Sequence, residues 1–126
     1  TVINTDTYSF GVSSGTADSA VRGGGGFVSV GSAQAALPLD PFKTLTSGAN
    51  AEIQVTEFKH NRTNGDTVRF RNTAAFDGIT TTVLEASGGY TITVVDDNNY
   101  KFTSTGTATT GDVSGGGFKA TAGPTT

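Results

Sequence analysis

Few residues in this 126-residue chain could do acid–base or nucleophilic chemistry. His60 is the only histidine, and a catalytic triad would need it to deprotonate a Ser or Thr hydroxyl with a carboxylate behind it. No nucleophile-elbow motif accompanies it, and one histidine cannot build a His-rich metal site. A lone histidine beside a turn is usually a hydrogen-bonding group of the scaffold. We therefore predict a structural role for His60 and no enzymatic activity.

Acidic residues offer two other kinds of site. Asp66, Asp77 or Glu85 could supply the paired carboxylates of a glycoside hydrolase, but nothing singles out a pair. The run Asp96-Asp97-Asn98-Asn99 has the residue types of calcium ligands, yet it lacks the glycine and the distal glutamate of a calcium loop. Asp and Asn are common in turns because they hydrogen-bond nearby backbone groups. Turns explain these residues, and we predict no metal and no cofactor.

The composition favours an all-β protein and excludes several function classes. Thr, Val, Phe, Tyr and Ile carry most of the β-branched and apolar content, whereas Met is missing and Gly occurs 18 times. The net charge of -3 gives no basic surface for nucleic acid and no polybasic patch for a membrane. With no cysteine, disulfides and thiolate metal sites are excluded. No apolar run is long enough to span a membrane.

Residues 50–126 are predicted to form a β-barrel-like module. Apolar and polar residues alternate in short segments separated by turn residues, which predicts a small antiparallel β-barrel or sandwich of about six short strands. Asp and Asn in VVDDNNYKF indicate a hairpin. Arg62, Arg69 and Arg71 make one small basic edge, for which a solvated strand face is favoured over a polar subunit contact. The predicted strands are AEIQVTEFK, DTVRFRN, TTTVLEA, GYTITVV, NYKFTST and GGFKATA, and their inward residues are Ile53, Val55, Val68, Phe70, Val83, Tyr90, Ile92, Val94, Tyr100, Phe102, Phe118 and Ala120.

Residues 1–49 are predicted to form an extended N-terminal arm with one or more short strands. TYSFGVSSG alternates apolar and polar residues, and four glycines follow at Gly23 to Gly26. Such a glycine run indicates either a flexible linker or an arm that lies on a partner. Apolar residues around the glycines favour the arm, since they would be poorly used in a solvated linker. The predicted subunit contacts are Phe10, Phe27, Val28, Val30, Leu37 and Phe42.

Residues 60–117 contain, in order, the segments H-x-x-x-x-G-D-x-V-x-F, AFDGI, GYTITVVDDNNYKFTSTGTAT and a GGG run. Taken together, these segments resemble a repeat-like domain in structural proteins of tailed bacteriophages. That domain is similar to the first catalytic-cysteine half-domain of ubiquitin-activating enzymes, a small β-barrel whose phage versions have no catalytic cysteine. One departure is Asn61, where the family usually has Gly, and Asn tolerates the positive φ of such a turn. The matching positions are His60, Gly65, Asp66, Val68, Phe70, Phe76, Gly78, Ile79, Tyr90, Ile92, Val94, Asp96, Tyr100 and Phe102.

The resemblance implies a non-enzymatic structural component of a tailed bacteriophage particle. A head decoration or cement protein, or a small tail or fibre protein, would suit a chain of this size. The implied location is the virion, the implied partners are major capsid or tail subunits, and a homo-oligomer is expected. The alternative is a host-receptor or carbohydrate-binding β module of a phage tail. Because the chain has no Trp and its tyrosines are expected to face inward, sugar binding is the less favoured reading.

Overall fold

The computed structural model describes residues 2–4, 7–10 and 34–125. These residues form thirteen short strands and one helical turn, with eleven of the strands in residues 34–125. The predicted all-β, antiparallel class is confirmed, although the strands are more numerous than the six expected. The elements are β1 (Val2–Asn4), β2 (Thr7–Tyr8), β3 (Ala35–Ala36), β4 (Phe42–Thr44), β5 (Gly48–Ala49), β6 (Glu52–Thr56), β7 (Thr67–Arg71), α1 (Thr81–Leu84), β8 (Tyr90–Thr91), β9 (Thr93–Asp96), β10 (Asn99–Thr103), β11 (Thr107–Ala108), β12 (Ser114–Gly115) and β13 (Thr121–Gly123).

Two antiparallel sheets make up the body of the protein. One has five strands in the order β12-β4-β6-β10-β9, and the other has four in the order β3-β13-β7-β8. Two further pairs, β1-β2 and β11-β5, stand apart from them. The predicted hairpin at VVDDNNYKF is confirmed as β9 and β10. The sheets do not close into a barrel.

The two large sheets meet through aromatic side chains. Phe70 of β7 contacts Phe42 of β4, with ring centroids 5.0 Å apart, and Phe102 of β10, at 5.3 Å. Tyr90 of β8 stacks on Phe102 at 4.4 Å. Phe42, Phe70 and Tyr100 are fully buried. Burial of one such ring contributes about 1.5–3 kcal/mol, so these rings form the main contact between the sheets.

The segment TTTVLEA forms a helical turn, so the strand predicted around Val83 is wrong. The hydroxyl of Thr80 accepts a hydrogen bond from the backbone N–H of Val83, which caps the start of α1 (Thr81–Leu84). The helical turn places Leu84 in the core, where it is fully buried. The cap and the burial of Leu84 outweigh the strand preference of the threonines and the valine.

The last predicted strand lies further along the chain than expected. Its pairing residues are Thr121–Gly123, and Phe118 is 74% exposed, so the prediction that Phe118 faces inward is wrong. The backbone turns at Gly116, whose φ is +109°, and the ring of Phe42 fills the space beside this glycine. Phe42 is fully buried at this point, whereas Phe118 is exposed.

Residues 34–49, which were assigned to the arm, pair with strands of the module. β3 pairs with β13, and β4 lies between β12 and β6 in the five-stranded sheet. Leu37 is 7% exposed and its backbone N–H donates to the carbonyl of Ala120. Leu37 and Phe42, two of the predicted subunit contacts, are therefore part of the chain's own core. Their side chains pack against other core residues, so they are not available on the surface of the protein.

Candidate functional site: the His60 loop

Several side chains that could take part in catalysis or binding lie around the loop between β6 and β7. Residues 57 to 66, here called the His60 loop, follow β6 and face the turn between β9 and β10. Lys59 and Asn61, on either side of His60, both have a φ of +50°, which non-glycine residues adopt rarely and at some cost. An open cleft of about 380 Å³ lies here, lined by Lys59, His60, Asn61, Arg62, Val94, Asp96 and Asp97. This cleft is the candidate functional site.

Both ring nitrogens of His60 are bound to backbone groups. Nδ1 accepts a hydrogen bond from the N–H of Arg62 at 2.9 Å, and Nε2 lies 2.7 Å from the carbonyl oxygen of Asp96. Since one nitrogen accepts and the other faces an acceptor, the imidazole is neutral with its proton on Nε2. Its ring meets the ring of Tyr100 edge-on at 5.2 Å. His60 thus joins its own loop to the β9–β10 turn.

A buried ion pair fixes the base of the loop. Arg62 donates from Nε to Oε2 of Glu57 at 2.9 Å and from Nη2 to Oε1 at 3.0 Å. The hydroxyl of Tyr100 donates to Oε2 of Glu57 at 2.7 Å. The guanidinium carbon of Arg62 also lies 5.7 Å from the centroid of the Tyr100 ring. A bidentate pair of this kind holds a loop in one orientation.

The environment changes the ionisation of two of these groups. Burial raises the pKa of the Tyr100 hydroxyl, and the adjacent carboxylate of Glu57 raises it further. For Arg62, burial lowers the pKa, but the hydrogen bonds and charge of Glu57 outweigh this and the net pKa is raised. Arg62 stays charged and Tyr100 stays neutral, so both can donate hydrogen bonds to the carboxylate of Glu57.

The loop ends in a turn built by Asp66. Its carboxylate accepts hydrogen bonds from the N–H of Thr63 at 2.9 Å and the hydroxyl of Thr63 at 3.0 Å. Gly65 has a φ of +91°, a conformation that glycine adopts without strain. The backbone of Asp66 accepts from the N–H of Ile92 at 3.0 Å, and Oδ1 of Asn64 accepts from the N–H of Val94 at 2.6 Å. These contacts deliver the chain into β7.

The run Asp96-Asp97-Asn98-Asn99 builds the β9–β10 turn. The carboxylate of Asp96 accepts from the N–H of Asn98 at 2.8 Å and from the amide of Asn99 at 3.0 and 3.1 Å. The hydrogen bond from Asn98, followed by the one from Asn99, lowers the pKa of Asp96. In the part of the chain that the structure describes, no group of three or more His, Asp or Glu side chains could hold a metal ion. The hydrogen bonds of the Asp96 carboxylate are made to residues of the turn itself.

The other two candidate carboxylates also connect segments of the fold. Asp77 accepts from the hydroxyl of Thr44 at 2.7 Å and from the N–H groups of Thr110 and Gly111, both at 2.9 Å. The bond from Thr44 contributes most to lowering the pKa of Asp77. Glu85 accepts from the N–H and the hydroxyl of Thr73 at 2.7 and 2.9 Å. Asp66, Asp77 and Glu85 thus each bind a different set of donors, and the three sets lie in different parts of the chain.

The predicted subunit contacts fall into three groups. Phe10 is 78% exposed and is available on the surface. Leu37 and Phe42 lie in the core, as described above, and Phe27, Val28 and Val30 lie outside the described residues. Other large apolar side chains are exposed that the sequence did not single out as contacts, namely Leu39, Leu45, Phe58, Val95 and Phe118.

Glu57 was missed at the sequence level although the signal for it is present. Ile53, Val55 and Glu57 occupy alternate positions, and all three are buried. A charged residue on the inward face of a strand needs a partner of opposite charge. The alternation therefore already indicated a buried acid that required a cation nearby.

Comparisons of the chain with protein-family models, curated proteins and solved structures found no match. The helix among the described residues spans only Thr81–Leu84, and none there is long and apolar enough to cross a membrane.

Proposed function

We propose that this protein is a non-enzymatic structural component of a tailed bacteriophage particle. In this proposal it is a head decoration or cement protein, or a small tail or fibre protein, and it binds neighbouring virion subunits through its N-terminal region and β surface. The observation that carries the proposal is that the residues of the phage resemblance are used to build the fold. His60, Gly65 and Asp66 form the loop, while Val68 and Phe70 belong to the core.

The polar side chains of the His60 loop support a scaffold role. A general base needs a free nitrogen within reach of the proton that it removes. Here the Nδ1 atom of His60 is bound to the N–H of Arg62, and Nε2 faces the carbonyl of Asp96. Two other residues that line the cleft, Arg62 and Asp96, are the ones that bind His60. This arrangement favours a rigid loop over a reaction centre.

The exposed apolar side chains support a role in binding other proteins. Phe118 is 74% exposed and Leu39 is 71% exposed. They lie on adjacent segments, because the N–H of Asp40 donates to the carbonyl of Gly117 at 2.9 Å and the N–H of Gly117 donates to Oδ1 of Asp40 at 3.0 Å. Covering one such ring at an interface contributes about 1.5–3 kcal/mol. A subunit contact would use this pair.

The alternative function, a carbohydrate- or receptor-binding module, has less support. Sugar sites usually present exposed aromatic rings beside polar groups. Tyr90 is 8% exposed and Tyr100 is fully buried, whereas Tyr8 is 53% exposed and its ring lies 6.4 Å from that of Phe10. Only this last pair could serve as a platform among the described tyrosines.

The experiment is quantitative mass spectrometry of purified phage particles that have been banded in a density gradient and then disassembled. We expect the chain to band with the particles at a constant molar ratio to a major capsid or tail subunit. A chain that stays outside the particle band and binds purified host glycans while free would contradict the proposal and support the receptor-binding alternative.

A further inference from the structure

Arg69 and Arg71 lie side by side on the outward face of β7. Val68 and Phe70, which alternate with them, are fully buried. Two residues along a strand span roughly 6.6–6.8 Å, so the two guanidinium groups start from positions about that far apart on one face. Both side chains are half-buried, which means that part of their conformational freedom is already lost in the fold.

Among the residues that the structure describes, neither arginine has an acidic partner. The ion pairs among residues 34–125 join Lys43 to Asp112, Arg62 to Glu57 and Lys101 to Glu52. The Nε atom of Arg69 and the Nη1 atom of Arg71 are buried and have no hydrogen-bond partner. Buried donors are almost always satisfied in folded proteins, so the two arginines have hydrogen-bonding capacity that the described residues do not meet. Because both side chains are only half-buried, their other N–H groups can be offered to an acceptor of another molecule.

The neighbouring strand places small residues beside the two arginines. Gly123 of β13 faces Arg69, and Thr121 faces Arg71. The side chain of Gln34 lies over Gly123, where an added Cβ would be 2.2 Å from its Nε2 atom, and its Oε1 accepts from the hydroxyl of Thr121 at 3.2 Å. This surface, defined by Arg69, Arg71, Thr121, Gly123 and Gln34, carries the positive charge of two guanidinium groups, and none of its five residues is acidic.

We propose that this surface binds an acidic segment of a neighbouring subunit, with two carboxylates at alternate positions of an extended chain facing Arg69 and Arg71. The proposal rests on the proposed function, since it names the chemistry of one subunit contact. Arginine matches a carboxylate with two parallel hydrogen bonds, and an extended partner repeats the spacing of β7. A nucleic acid is a poorer match because the chain has 11 acidic against 8 basic side chains and a net charge of -3.

The test uses the full chain and a defined probe, an octapeptide with Glu at alternate positions and Thr between them. A peptide with Gln in place of Glu is the matched control. Two-dimensional NMR of the arginine Nε–Hε groups reports binding at each side chain. We expect saturable shifts of Arg69 and Arg71 with the Glu peptide and none with the Gln peptide.

Variants separate this surface from general charge effects. Arg69→Gln and Arg71→Gln should each weaken peptide binding by about tenfold, the change expected for loss of one charge-assisted hydrogen bond, while the melting temperature stays near that of the wild type. Lys43→Gln removes one positive charge elsewhere and should leave binding unchanged. Equal binding of both peptides, or stronger shifts with a single-stranded DNA oligonucleotide, would overturn the proposal.

The two proposals fail in different ways. If the chain bands with particles but the Glu peptide leaves Arg69 and Arg71 unshifted, the carboxylate surface is wrong and the structural function stands. If the Glu peptide binds as expected but the chain is missing from particles, the virion function is wrong and the carboxylate surface stands.

Discussion

The carboxylate of Glu57 lies 2.7 Å from the hydroxyl of Tyr100, and both groups are buried. Arg62 neutralises the carboxylate from the other side with two hydrogen bonds of 2.9 and 3.0 Å. The relationship explains how a loop with two strained non-glycine residues, Lys59 and Asn61, keeps one conformation. The Glu57–Arg62 pair lies within the loop, while Tyr100 attaches the loop to the core and the carbonyl of Asp96 attaches His60 to the β9–β10 turn. Contacts inside and outside the loop together set its shape.

Loss of the Glu57 charge should destabilise the protein strongly. In Glu57→Gln, Arg62 is left half-buried without a counter-charge, and we expect the free energy of unfolding to fall by about 3 kcal/mol. Urea-induced unfolding monitored by circular dichroism measures this. Glu52→Gln is the matched control, because Glu52 pairs with Lys101 near the surface and such pairs contribute at most about 1 kcal/mol. Equal losses for the two variants would contradict the role assigned to Glu57.

The bonds to Asp77 should make stability depend on pH in the acid range. Its pKa in the folded protein is lowered, chiefly by the hydroxyl of Thr44, so its contribution is present above the pKa of the unfolded chain, about 3.9. That contribution is lost as the pH falls through the lower folded pKa. We expect Asp77→Asn to show a smaller loss of stability between pH 5 and pH 2 than the wild type, as measured by urea unfolding at each pH.

Asp96 supplies a companion measurement, since its pKa is also lowered, first by the N–H of Asn98. Asp96→Asn should reduce the acid dependence in the same direction. Asp112, which is exposed and pairs with Lys43 at the surface, provides the control in Asp112→Asn. A pH profile of Asp77→Asn that superimposes on that of the wild type would contradict the prediction.

Three glycines separate backbone strain from packing. An Ala at Gly116 would meet both a φ of +109° and the ring of Phe42 at 2.2 Å, and we expect a loss of about 3–5 kcal/mol in unfolding free energy. Gly65 has a φ of +91° with open space around it, so Gly65→Ala should cost about 1–2 kcal/mol. Gly88 has open space and no positive φ. Gly88→Ala should be nearly neutral, and any other order of the three midpoints of urea unfolding would refute this reading.

Two phenylalanines should behave in opposite ways. Phe118 is largely exposed and Phe42 is fully buried. Phe118→Ser should leave the free energy of unfolding within about 0.5 kcal/mol of the wild type and lower the amount of protein that bands with particles. Phe42→Ala should lower the free energy of unfolding by about 3–5 kcal/mol, because it leaves a cavity where the two sheets meet. Full incorporation of Phe118→Ser into particles would show that this ring is not part of a subunit contact.

The strands β6, β7 and β10 could be predicted because each alternates apolar and polar residues with one face in the core. Ile53, Val55, Val68, Phe70 and Phe102 are all buried as that pattern requires. The same rule could not place Phe118, because its position depends on the turn at Gly116 and on Phe42, which is more than seventy residues away in sequence. Packing between distant segments decides which of these side chains is buried, and the local alternation of apolar and polar residues does not report such packing.

The helical turn and part of the candidate site could not be predicted either, because they too depend on packing and on contacts between distant segments. Threonine and valine at residues 80–83 favour a strand by propensity, and a Thr80 cap together with burial of Leu84 reverses that preference. Turns at Asp66 and Asp96 were predictable because Asp bonds its own loop. The partners of Asp77, which include Thr44 and Gly111, come from distant segments and could not be read from spacing.

The most direct test of the central claim, that the chain's chemically capable side chains hold the fold together, is the protonation of His60 measured by ¹⁵N NMR at neutral pH. We predict a neutral imidazole with the proton on Nε2 and with Nδ1 accepting from the N–H of Arg62. A ring that carries its proton on Nδ1, or that exchanges freely between tautomers as an imidazole in water does, would contradict it.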